Sequence, residues 1–103
     1  MSDSWDERKV EGAFLTSSKL EEQAHEMDVK IAHLKEKRAI KYAELLASAE
    51  GSVELRKAIA LAGVAELDTE IYVCDAVQKT LRKQTGLFSD FISAWQTHAR
   101  LTT

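Results

Sequence analysis

The stretch AEGSVELRK, Ala49 to Lys57, interrupts helix-forming sequence with a glycine and, directly after it, a serine. Gly51 lacks a Cβ and can take the left-handed backbone conformation that ends a helix. Ser52 can accept a hydrogen bond from the first turn of a following helix, and Glu54 in that turn suits the helix dipole. The stretch therefore reads as a tight turn at 51–52 between a helix over about 4–50 and a second over about 53–100. The competing reading is one helix running through the glycine.

Charge separates the two readings. If the chain reverses at Gly51–Ser52, Glu21 faces Arg82, Lys30 faces Glu70, Lys35 faces Asp68 and Glu44 faces Arg56. All four pairs are of opposite sign; Asp28 facing Asp75 is the exception. An exposed pair contributes only about 0–1 kcal/mol, so such pairs select orientation more than they add stability. They favour an antiparallel helical hairpin.

Apolar periodicity supports two helices. Ala13, Ser17, Leu20, Ala24, Met27, Ile31 and Leu34 alternate by three and four, a heptad seam. Arg38 and Lys41 interrupt it, and Tyr42, Leu45 and Ala49 resume one residue out of phase. That is a stutter, which relaxes a supercoil locally. In the second half Val64, Leu67, Ile71, Cys74, Gln78, Leu81, Thr85, Phe88, Ile92, Trp95 and Ala99 repeat the alternation. Ile59, Val73, Val77, Phe91 and Ala94 widen this second stripe beyond what one neighbouring helix covers.

The ends and breaks are less sharply marked. Ser4 with Glu7 three residues on forms a capping box, and Ser18 with Glu21 has the same form and offers a later start. Gly86 is a second candidate break, which would set off a short third helix from Leu87 to about Arg100.

With 103 residues the chain is expected to be a single helical domain, 1–103. Proline is absent, 45% of residues are hydrophobic and 30% charged, which excludes a chain disordered by composition. No apolar run approaches the roughly 18–20 residues that cross a bilayer, so no membrane partner is expected. The N-terminal MSDSWDERKV has no signal-peptide core, and a cytoplasmic location is expected. Cys74 has no second cysteine to pair with and reads as a buried thiol. The net charge of −3 weighs against a general nucleic-acid coat.

Two helices of this length would each run roughly 65–70 Å at 1.5 Å per residue and enclose little interior. The wide second stripe would stay partly exposed, so the hairpin is expected either to self-associate, most simply as a dimer forming a four-helix bundle or coiled coil, or to dock a partner on that stripe.

Catalytic chemistry is not expected. His25 and His33 are eight residues apart, too far for the four-residue spacing of a helical zinc site. Glu22 to His25 matches one Glu-x-x-His element of a di-iron bundle, but the chain holds no second copy. No phosphate-cradling glycine loop occurs, and no cofactor or metal is expected. Two binding surfaces are expected instead. Trp5, Phe88, Phe91, Ile92 and Trp95 form an aromatic-rich protein-interface candidate, with Trp5 near Trp95 at the open end. Lys30, Lys35, Lys37, Arg38 and Lys41 form a basic segment able to contact phosphates.

Around the turn, Tyr42, the run Ala49-Glu50-Gly51-Ser52-Val53, then Arg56, Ala60 and a long Glu/Leu/Arg-rich helix resemble small all-helical proteins of tailed bacteriophages, mostly of unassigned function. The resemblance covers about half the chain. It implies a phage-encoded accessory protein in the host cytoplasm, working beside recombination or replication proteins. The leading expectation is a non-catalytic interaction protein that binds a phage or host protein. The rival is a nucleic-acid-binding accessory protein acting through Lys30 to Lys41.

Overall fold

A computed structural model describes residues 7–102, and these form three helices and no strand. The helices are α1 (Glu7–Ser48), α2 (Val53–Gly63) and α3 (Ala65–Thr102). The expected cap Ser4 and the approach of Trp5 to Trp95 fall outside the described residues. Ser18 lies inside α1, so the later start does not occur. Gly12 to Thr16 carries helix through that region, and Thr16 Oγ1 donates to the Gly12 carbonyl at 2.8 Å. This back-bond gives the hydroxyl a partner inside the helix.

The turn forms as its sequence dictates. The last hydrogen bond of α1 runs from Ala49 N–H to Leu45 O at 2.9 Å. Gly51 then adopts φ +109°, which a residue with a Cβ rarely takes. Ser52 is extended, and its hydroxyl accepts from Leu55 N–H at 3.2 Å, capping α2. Arg56 does not serve as an ion-pair partner for Glu44. Its Nη2 and Nε donate to the Leu46 carbonyl at 2.7 and 3.2 Å. The physical reason is local: α1 has no basic residue in its last turn, and its final carbonyls need donors.

The second helix breaks, but not at Gly86. Gly86 is interior to α3, and a Cβ there would meet nothing within 4 Å. The irregularity falls at Val64, with φ −107° and ψ 7°, between α2 and α3. Its N–H is shared between the Ala60 and Leu61 carbonyls, each at 3.2 Å, while its carbonyl still accepts from Asp68 N–H. Packing explains the position. A Cβ on Gly63 would lie 2.2 Å from Leu45 Cδ1, so glycine allows the backbone to approach α1 there. Val64 and Ala60 are fully buried beside it.

Packing divides the chain into two units: Met27–Val77, and Met1–Glu26 with Gln78–Thr103. In the first, Ile31 and Leu34 of α1 pack with Leu67 and Cys74 of α3, flanked by Met27 and Ile71. In the second, Ala13, Ser17 and Gln78 are buried, and Leu20, Ala24, Leu81, Thr85, Phe88, Ile92, Trp95 and Ala99 are half-buried. Every inward position anticipated from the three-four spacing and described here is buried or half-buried. The stutter is bridged: Arg38 and Tyr42 are half-buried and continue inward from Leu34, while Lys41 is exposed.

Candidate functional site

Two surfaces collect the residues singled out by sequence. The first belongs to the unit of Met1–Glu26 and Gln78–Thr103. Leu87, Phe88 and Phe91 of α3 face Lys9, Gly12, Ala13 and Thr16 of α1 across an open groove of about 500 Å³. Helical geometry builds it. Leu87 and Phe88 are consecutive, so one stripe cannot bury both; Phe88 turns inward and Leu87 stays 62% exposed. Gly12 supplies no side chain opposite them, and a Cβ there would meet nothing within 4 Å. A smaller, more polar depression of about 370 Å³ holds Ile92 between Ser89 and Ser93, opposite Phe14, Ser17 and Glu21. Trp95 is half-buried in the same unit.

Phe88 and Phe91 therefore share one groove, while Ile92 lines the other. Leu87 and Gly12 were not singled out from sequence. The available signal was the doublet Leu87-Phe88 beside Gly86, which exceeds a single apolar stripe. Along the rest of the second half, Ile59, Val73 and Val77 are exposed, as the widened stripe anticipates.

The second surface belongs to the unit of Met27–Val77, and it does not keep the five basic residues together. Lys30, Lys37 and Lys41 recur at i, i+7 and i+11 and share one flank of α1. Lys35 projects from the other flank. Arg38 sits in the seam: its Nε donates to Asp68 Oδ1, and its Nη2 lies 3.4 Å from Asp68 Oδ2. The guanidinium also lies 5.6 Å from the centre of the Tyr42 ring. Asp68 is thereby engaged by Arg38, not by Lys35 as the simple register anticipates. The hydrogen bond to Asp68 raises the Arg38 pKa above its ordinary value, with burial opposing. Arg38 remains charged at any working pH, and its charge is already answered.

A surface depression of about 560 Å³ on the outer face of α1 is lined by His33, Glu36, Lys37, Ile40, Lys41 and Glu44. Carboxylates thus alternate with the lysines there. Among the described residues no three His, Cys, Asp or Glu side chains converge as a metal site would require. His25, His33 and Glu22 are exposed, and Cys74 is buried. No described helix is long and apolar enough to cross a membrane.

No family model matches the chain, and no curated protein and no solved structure matches it either.

Proposed function

We propose that the chain is a non-catalytic, self-associating helical interaction protein that docks another protein on the apolar groove formed by Leu87, Phe88 and Phe91 against Gly12 and Thr16. One observation carries this reading: a groove of about 500 Å³ in which a large aliphatic side chain, Leu87, is 62% exposed beside two half-buried phenylalanines. Aromatic side chains such as phenylalanine are enriched in protein interfaces, and exposed apolar surface beside them marks a contact site. The turn's resemblance to small helical phage proteins supports a phage-encoded accessory role in the host cytoplasm, with a phage or host protein as the partner.

The test is capture of a defined partner by wild type and by Leu87→Asp, with circular dichroism confirming equal helix content. Leu87 is exposed, so the charge leaves folding intact while placing an unsolvated carboxylate in any interface. Loss of capture by the folded variant supports the reading; unchanged capture removes this groove from it.

A nucleic-acid reading has one observation in its favour: Lys30, Lys37 and Lys41 are exposed along one flank. Glu36 and Glu44 beside them, the engagement of Arg38 and the net charge of −3 oppose it. A salt titration separates the two readings. Absence of DNA binding at about 50 mM salt, where phosphate contacts are strong, excludes the nucleic-acid role.

A further inference from the structure

Within the unit of Met27–Val77 the Arg38–Asp68 bridge marks one flank of the helix pair, since Arg38 leans toward both Asp68 and Tyr42. On α3, Glu66 and Glu70 stand two residues either side of Asp68, about 200° round the helix, and so belong to the opposite flank. On α1, Lys37 and Lys41 lie on the side of Arg38 away from Tyr42, and Lys30 continues their row. The flank opposite the bridge therefore presents Lys30, Lys37 and Lys41 from α1, with Glu44 following them at the turn end, and Glu66 and Glu70 from α3. All six are exposed, and none is in an ion pair among the described residues. The same flank carries Ile59, Val73 and Val77, which are 42%, 53% and 40% exposed.

We infer that this flank is the contact between two copies of the chain, related by a two-fold axis that runs along the helices and sets both Gly51–Ser52 turns at the same end. The inference rests on the self-association in the proposed function and specifies its surface and direction. Charge complementarity decides the arrangement. With the turns together, α1 of each copy lies over α3 of the other, so Lys37 and Lys41 meet the partner copy's Glu66 and Glu70 at the level of the Arg38–Asp68 bridge. With the turns at opposite ends and the axis through this unit, lysine row meets lysine row and glutamate row meets glutamate row. Like charges placed opposite cost stability in packed helices. Ile59, Val73 and Val77 are covered in the favoured arrangement, and apolar area removed from water supplies its driving force. The surface is self-complementary, as a two-fold interface must be.

The experiment uses the full chain and light scattering. Wild type is expected as a dimer. Lys37→Glu and Glu66→Lys are each expected to weaken it by about tenfold or more, because each reversal acts twice across the axis. An equimolar mixture of the two variants is expected to restore the dimer, since positions 37 and 66 are then both acidic on one copy and both basic on the other, and each contact across the axis again joins opposite charges. Both positions are exposed, so unchanged helix content is expected. Direction is read from spin labels on Ser52→Cys, the buried Cys74 staying unlabelled. Stacked hairpins about 10 Å apart put the labels within about 20 Å, whereas opposed turns centred on this unit separate them by about 45 Å. A monomeric wild type overturns both the inference and the self-association it rests on. A dimer indifferent to both reversals, or one with distant labels, overturns the inference and leaves self-association standing. A charge-indifferent dimer broken by Leu87→Asp assigns the contact to the groove instead.

Discussion

Arg38 of α1 bonds to Asp68 of α3 from a position where the heptad seam calls for an apolar side chain, and its guanidinium lies over the Tyr42 ring. A basic residue in the seam is thus accommodated by a carboxylate across it and an aromatic face beside it. Arg38→Ala and Asp68→Asn are each expected to lower the urea midpoint. The double variant is expected to fall no further than the worse single, because the two residues share one interaction. Additive losses would show that the pair is uncoupled. The stabilising contribution of the raised Arg38 pKa is present at all pH values below the usual guanidinium range and is lost only above it.

The four glycines should not behave alike. Gly51→Ala forces a Cβ into a positive-φ position, where it would lie 2.8 Å from Leu55 Cδ2, and is expected to cost about 1–2 kcal/mol. Gly86→Ala adds a helix-favouring residue in open space and is expected to gain about 0.5–1 kcal/mol. Thermal melts of the two variants check the opposite signs.

The junction of α2 and α3 is packed against the end of α1, so it should tolerate neither loss nor gain of volume. Val64→Ala removes two methyl groups from a fully buried site and is expected to cost about 1–3 kcal/mol. Ala60→Leu overfills a fully buried site and is expected to cost a comparable amount, about 1–3 kcal/mol. Denaturant titration with an unchanged slope would assign both losses to the native state.

Cys74 is 4% exposed in the cluster with Ile31, Leu34 and Leu67. Its thiol is expected to react with an aromatic disulfide reagent only after unfolding, with the rate rising steeply through the denaturant midpoint. Fast reaction of the native chain would place the thiol outside this core.

The helices, the turn and the inward positions were legible because they depend on local rules: glycine and serine at the apex, and spacing by three and four. Two features escaped for a common reason. A straight return helix puts Lys35 opposite Asp68, but the return runs through α2 and the irregular Val64 first. The match to Asp68 then falls three residues later, at Arg38. Gly86 and Gly63 look alike in sequence, yet Gly86 has no neighbour to approach, whereas Leu45 requires a glycine at 63 and the break falls beside it. Composition marks glycines, but only packing distinguishes one that is needed. The candidate groove was half legible: Phe88 and Phe91 stood out as aromatics, whereas Leu87 and Gly12 matter through the space they leave.

The claim on which the proposed self-association and its surface depend is that the apolar face carrying Ile59, Val73 and Val77 is covered in solution by a second copy. Light scattering of the full chain at micromolar concentration measures this directly. A molar mass twice the 11.5 kDa of the chain, falling toward 11.5 kDa on dilution, is the expected result. A mass that stays at 11.5 kDa at every concentration would contradict it.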